Sequence, residues 1–356
     1  MLNSFEVSSC RRCGSVDIHR YGRTGNGIAR YRCGGCGRTF CSTTNTIFDG
    51  HKVSMSEWLD FLLLIFGYGS FALTSKSNRN AYNTTRYWMD KVFLVLRGSL
   101  DDIVLKGVVY IDETYLSVRK ADIQENWLGE RYPGISRNKM CIGVGTDGTR
   151  TVCVFEKIGK PTIESTRKAF HRHIEPGSML RHDREHSHRT LVEELGLTSE
   201  TWSSSELKGV PDKDNPPDPV NEVCAMLKRF LRAHSGFIRD DVQDYLNLFC
   251  FILNPPHDRF LKVEAFIKKA LDFPVLCRYR DKTSNSYLLL RFATNTVQKW
   301  GFLQRNAFVR PLSNLCSTFI QERLDSNESM AILCHLWRYR PTFFSSYAPW
   351  CSLQDS

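Results

Sequence analysis

Two pairs of cysteines open the chain, "CRRC" (Cys10, Cys13) and "CGGC" (Cys33, Cys36), in the pattern C-x2-C-x19-C-x2-C. Four thiolates at this spacing can close a tetrahedral site around zinc. Gly34 and Gly35 let the second knuckle turn tightly about its sulfurs. Cys41 falls outside the pattern and is read as a bystander. Chemistry of a harder kind follows. The stretch "GVVYIDETYL" (107–116) is apolar until it meets Asp112 and Glu113. "SMLRHD" (178–183) reads as another strand that ends in a carboxylate, Asp183, with 70 residues between the two aspartates. If the two are neighbouring strands, both carboxylates come to one sheet edge. Hard oxygen ligands suit Mg2+ or Mn2+. Two such ions roughly 3.5–4 Å apart can activate an attacking oxygen and stabilise the leaving oxygen of a phosphodiester.

A third oxygen ligand is expected on the helix that follows, from Asn221 or from its neighbour Glu222. An amide adds no negative charge, so it holds a cation less tightly than a carboxylate does. Lys228 stands seven residues after Asn221, two turns along the same helical face, within reach of a phosphate. Glu113 points to the opposite face of an alternating strand and is given a structural or supporting role. Competing readings exist for each piece. Strand-end aspartates are common turn residues. "RHDREHSH" (181–188) offers His182, His186 and His188 as a zinc site, although solvated histidines near DNA phosphates suit it better. "LKRFLR", which holds Lys228 and Arg229, also fits the exposed face of an amphipathic helix.

The elements that must position these groups are legible in outline. Residues 1–45 carry seven arginines, Arg30, Arg32 and Arg38 among them, against Glu6 and Asp17, with Tyr21 and Tyr31 interleaved. That composition suits phosphate contact with some stacking. Ser54 and Glu57 have capping-box spacing and predict a helix from about Met55, broken by Gly67 and Gly69. A short helix, a polar turn at 77–80 and a longer helix ending near Gly98 come next. This fits a helix-turn-helix presenting Asn80, Asn83, Thr84, Thr85 and Arg86 to DNA, and equally a plain helical hairpin between domains. From residue 105 the order is a strand ending in an acid, a hairpin turning at Asp147-Gly148, a helix begun by Pro161 and a second strand ending in an acid. A helix stopped by Gly196, a strand at "TWSSSEL", a Pro/Asp-rich loop and an amphipathic helix complete it. The class is α/β, a mixed sheet with flanking helices, with its acids where open sheets place their sites.

Bulk properties agree. The chain has 356 residues, is 42% hydrophobic and carries a net charge of +10, a balance that suits a polyanionic partner. The start lacks a secretory pattern, and the longest apolar stretch, 61–73, is short of a membrane span. Thirteen cysteines, nine of them single, fit a reducing cytosol rather than a disulfide framework.

Together "YRCGGCGRTF", "YIDETY", "RHDREHSHRTLV", "VNEVCAMLKRFLRAHSGF" and "DYLNLF" resemble bacterial insertion-sequence transposases with an N-terminal zinc ribbon and a ribonuclease-H-like core carrying Asp-Asp-Glu or Asp-Asp-Asn. The resemblance runs from about residue 10 to Pro256. It implies Asp112 and Asp183 in the first two acidic positions. It implies Asn221 in the third, since Lys228 then occupies the family's basic position, with Glu222 as fallback. It further implies structural Zn2+, catalytic Mg2+ or Mn2+, double-stranded DNA as partner (terminal inverted repeats and target), a homo-oligomer on DNA, and a place at the bacterial nucleoid. The expected divisions are a ribbon over 1–45, a helical DNA-binding segment over 46–100, a catalytic domain over 105–256 and an extension over 257–356. Asn83, Arg86 and Arg229 join the ribbon arginines as expected DNA contacts. The alternatives are a DNA-binding protein without catalysis and a nuclease with the same core. From Cys277 onward no motif is legible, and the tail is read as a degenerate or frame-altered end.

Overall fold

The computed structural model describes residues 2–272, apart from 4, 51–53, 79, 184–185, 203–205, 207–217, 235–236 and 238. Most of the Pro/Asp-rich loop and the tail from Cys277 lie outside the described residues.

Three short strands form an antiparallel meander at the N-terminus: β1 (Ile18–Arg23), β2 (Ala29–Cys33) and β3 (Thr39–Cys41). In β2 the even and odd positions divide the work. Ala29 and Cys33 are buried, whereas Arg30 and Arg32 lie on the outer face. Among the described residues the meander's apolar centre is small, with Cys10, Cys33 and Phe40 buried, Val7 and Ile18 packed against them, and Tyr31 stacked on Phe40 at 5.7 Å. So small a core needs a further staple.

The helical segment follows. In α1 (Met55–Phe66) the Ser54 hydroxyl accepts the Glu57 amide, and the Glu57 carboxylate accepts the Ser54 amide at 3.0 Å, completing the expected capping box. Gly67 caps its end. At Gly69 a Cβ would stand 2.6 Å from the Leu64 carbonyl oxygen, so glycine is required there. α2 (Phe71–Ser77) and α3 (Tyr82–Leu96) then fold back. Trp58 of α1 stacks on Trp88 of α3 at 4.6 Å.

The main sheet has five strands: β4 (Val108–Ser117), β5 (Lys139–Thr146), β6 (Thr151–Ile158), β7 (Met179–Asp183) and β8 (Thr198–Trp202). Their order is β6-β5-β4-β7-β8. The first three are antiparallel, while β7 and β8 run parallel to β4. Numbered from β4, this is order 3-2-1-4-5, a ribonuclease-H-like mixed sheet. One face carries α4 (Ile163–Phe170) and α5 (Arg189–Leu195). The other carries α6 (Asp218–Ala233) and α7 (Val242–Leu253). Beyond α7, α8 (Arg259–Asp272) packs on α1, with the Phe66 and Phe266 rings 5.5 Å apart.

Two boundaries correct the sequence reading. β4 does not end at its acids but runs on to Ser117, because β5 pairs with it along its whole length, Asp112 opposite Val144 and Ser117 opposite Lys139. β8 starts at Thr198, ahead of the expected "TWSSSEL", where Met179 aligns with it. Gly196, at φ 58°, ends α5 in the left-handed conformation, as glycine allows.

Candidate functional site

At the N-terminal cluster, Cys10 and Cys36 sulfurs are 3.8 Å apart, and those of Cys13 and Cys33 3.5 Å. Zinc–sulfur bonds of about 2.3 Å in a tetrahedron place sulfurs about 3.8 Å apart, so the four residues fit zinc. The Arg12 and Cys36 amides point at the Cys10 and Cys33 sulfurs, each at 3.4 Å, as a thiolate site requires. Cys41 instead approaches the hydroxyls of Thr43 and Thr44. On the outer face, the Arg30 and Arg32 guanidinium groups lie 5.1 and 5.8 Å from the centre of the Tyr21 ring. Arg32 and Arg38 are exposed.

The sheet brings the two aspartates together. The parallel pairing of β4 with β7 ends at Ile111 opposite His182, so Asp112 and Asp183 stand side by side one step beyond the last rung. Carboxylate oxygens of Asp112, Glu113 and Asp183 all lie within 4.8 Å of one another. Burial, then the negative charges of Glu113 and Asp183, push the Asp112 carboxyl up to about 6. A divalent cation is the counter-charge that such a crowded group of hard oxygens fits.

The helix α6 lies across this face. The Cys224 thiol approaches Asp112 Oδ2 at 4.0 Å. Burial and the Asp112 charge raise that thiol to about 12, so it stays protonated at neutral pH. Asn221 and Lys228 precede and follow Cys224 by three and four residues, which places all three on one helical stripe. Lys228 is near enough to oppose the rise at Cys224. Glu222 is one residue further round, about 100° away. Asn221, Glu222, Lys228 and Arg229 are all exposed. On α3, Asn83 and Arg86 are exposed, but Thr85 is buried among the helices and cannot face DNA.

The histidines correct the sequence reading. His182 and His188 are not solvated: they are 7% and 0% exposed. His186 is exposed and takes no part in their grouping, so the trio His182, His186 and His188 is not assembled. Instead Glu113 accepts a hydrogen bond from His188 Nε2 at 2.8 Å. The Nδ1 atoms of His188 and His182 are hydrogen-bonded at 2.9 Å. His182 Nε2 meets the Ser199 hydroxyl at 2.9 Å. Burial and the neighbouring His188 lower His182 to about 4, which keeps its ring neutral. Alternation along β7 puts His182 on the face opposite Asp183, the face of Glu113, but the spacing of "HDREHSH" does not reveal the partner across the sheet. Glu156, on β6, was also missed. Its Oε2 accepts from Ser165 and Thr166, both at 3.0 Å.

Residues 104–254 match the model of a protein family described as the ISXO2-like transposase domain. Over this segment the chain is similar to a transposase domain. The segment takes in all five strands of the main sheet and α4 to α7, and therefore both aspartates and the α6 stripe. The ribbon and α1 to α3 precede it. No curated protein sequence matches the chain. Among solved structures, the pre-cleavage Mos1 transpososome is similar at 10% identity and a TM-score of 0.23, over 60% of this chain and 78% of that one. The Drosophila P element transposase strand transfer complex is similar at 10% identity and a TM-score of 0.25, over 70% and 66%. The simian T-cell lymphotropic virus intasome in complex with PP2A regulatory subunit B56 gamma gives 12% identity and 0.27, over 55% and 67%. Among the described residues, no helix is long and apolar enough to cross a membrane.

Proposed function

We propose that the transposase domain cuts double-stranded DNA at the ends of a mobile element and joins those ends to target DNA, with Asp112 and Asp183 as its metal-holding acids. The observation that carries this is the pairing of β4 with β7, which stops one residue short of both aspartates and leaves their side chains adjacent and unobstructed by a further rung. A divalent cation bound there supplies Lewis-acid activation of an attacking oxygen and relief of charge on the leaving oxygen.

The other roles follow from position. Asn221 shares a stripe with Cys224, which touches Asp112, so its amide oxygen is the third ligand in preference to Glu222. Lys228, on the same stripe, neutralises a phosphate beside the acids. Arg229 is exposed next to it. Arg30, Arg32 and Arg38 of the ribbon, and Asn83 and Arg86 at the start of α3, contact the DNA backbone away from the reacting bond. Zinc on Cys10, Cys13, Cys33 and Cys36 holds the ribbon together. Work on two element ends implies more than one copy of the chain on DNA, at the nucleoid of a bacterium.

The test uses the full chain, Mg2+ and DNA that carries the element ends. The wild type is expected to cut. Asp112→Ala and Asp183→Ala variants are expected to bind the same DNA and leave it uncut. A wild type that binds without cutting would replace this reading with a DNA-binding protein. Cutting without joined product from pre-cut ends would replace it with a nuclease.

A further inference from the structure

The backbone ladder does not fix the gap between the two aspartates. β4 is held past Asp112 on its far side, where Glu113 pairs with Gly143 of β5. β7 is held on its own far side, where Asp183 pairs with Trp202 of β8. Between β4 and β7 the last pair is Ile111 with His182. Something other than the ladder must set where Asp183, whose side chain is 53% exposed, stands relative to Asp112.

The opposite face of the sheet supplies that link. Glu113 follows Asp112 directly, and His182 precedes Asp183 directly. His188, delivered by the turn before α5, bridges the two, at 2.8 Å to Glu113 and 2.9 Å to His182. Ser199 of β8 ends the chain of contacts at 2.9 Å from His182. Three strands are thereby stapled together just where β4 and β7 cease to pair. The Glu113–His188 end of the staple is dry, with side chains 4% and 0% exposed, while Ser199 at the other end is exposed. A satisfied polar network in such surroundings holds one geometry. His188 Nδ1 also lies 3.9 Å from Asp183 Oδ1, at ion-pair distance.

We propose that Glu113 and His188 are positioning residues for the metal site, fixing Asp183 against Asp112 through the His188–His182 contact. This rests on the reading of Asp112 and Asp183 as metal-holding acids and goes beyond it. One Glu113 oxygen is taken by His188, while its carboxylate stays within 4.8 Å of those of Asp112 and Asp183, so the variants below are chosen to separate a positioning role from ligation. Groups that orient a ligand in this manner typically change metal affinity by roughly 10–100-fold when removed.

Mn2+ binding to the full-length protein, followed by electron paramagnetic resonance, separates the possibilities. Glu113→Gln keeps an oxygen that can accept from His188 and is expected to bind Mn2+ near the wild-type affinity. Glu113→Ala removes the acceptor and is expected to bind roughly 10–100-fold more weakly. Asp112→Asn and Asp183→Asn remove ligands directly and set the floor. If Glu113→Gln falls to that floor, Glu113 is a ligand and the proposal is overturned. If folded Glu113→Ala binds as the wild type does, the staple has no role and the proposal is overturned. Should Glu113→Ala not fold, nitrogen-15 resonances of the histidine rings decide. Mg2+ is expected to shift His182 and His188 in the wild type but not in Asp183→Asn, and unmoved wild-type resonances overturn the proposal. A wild type that binds no Mn2+ brings down the metal reading itself, a different outcome from intact binding that ignores Glu113.

Discussion

Glu156 shows what one buried carboxyl does to the fold. Burial, reinforced by the charge of Glu113, raises it from 4.5 to about 7. Its Oε1 is buried without a hydrogen-bond partner, and a Cβ on Gly143 would sit 2.6 Å from that oxygen. The sign follows. A carboxyl whose folded value is raised favours folding fully below its unfolded value of 4.5, and that contribution is lost as pH rises through about 7. The loss is on the order of 3 kcal/mol by pH 8, from about 1.4 kcal/mol per pKa unit. Glu156→Gln reproduces the neutral form at every pH. It is expected to melt like the wild type at pH 5 and at higher temperature at pH 8. Equal melting shifts at both pH values would show that Glu156 does not carry the dependence. At this scale the sequence was legible where spacing alone encodes geometry, as in the four cysteines and in the aspartates that close two predicted strands. The Glu113–His188–His182 network was not legible. A histidine's partner lies across the sheet, and a His-rich surface loop has the same composition as a buried staple.

The elements are tied together by a few buried polar contacts. Arg97, at the end of α3, donates from Nε and one terminal nitrogen to both oxygens of Asp244 on α7, at 3.0 and 2.9 Å. Both side chains are almost wholly buried, at 6% and 10% exposed. Removing one partner strands a charge, at a cost of roughly 3–5 kcal/mol, whereas replacing both with apolar groups costs little. Arg97→Met is therefore expected to lower the melting temperature sharply, and Arg97→Met with Asp244→Leu to recover most of the loss. Failure of the double variant to recover would mean that the pair contributes through geometry rather than charge. Helix limits were readable because caps are local: Ser54 with Glu57 and Gly196 act within one turn. Strand limits were not. Asp112 and Glu113 read as the end of a strand, yet β4 continues because β5 lies alongside it. β8 is an edge strand with half-exposed and exposed residues, so its segment lacks the apolar run that marks a core strand.

At the scale of the whole molecule, the described residues form two cores of unequal strength. The main core spans the helices and the large sheet, whereas the ribbon buries Cys10, Cys33 and Phe40 and little else. On the proposed reading of the four cysteines, zinc rather than apolar burial stabilises the ribbon. The main core has no such dependence. Backbone amides of β1 to β3 are expected to exchange rapidly once zinc is chelated, while those of β4 to β7 stay protected. The charge distribution extends this to function. Seven arginines against two acids give the first 45 residues half of the chain's net charge of +10. Each phosphate neutralised steepens the fall of affinity with salt by about 0.9 in a log–log plot. An unfolded ribbon presents its arginines without fixed spacing, so fewer phosphates are met at once. Zinc-free protein is therefore expected to bind DNA more weakly at low salt and with a shallower salt slope. Cys13→Ser is expected to do the same without chelator. Slow exchange of β1 to β3 in chelator would show that the ribbon holds its shape without the ion, and an unchanged salt slope with fast exchange would show that its arginines are not the ones in contact.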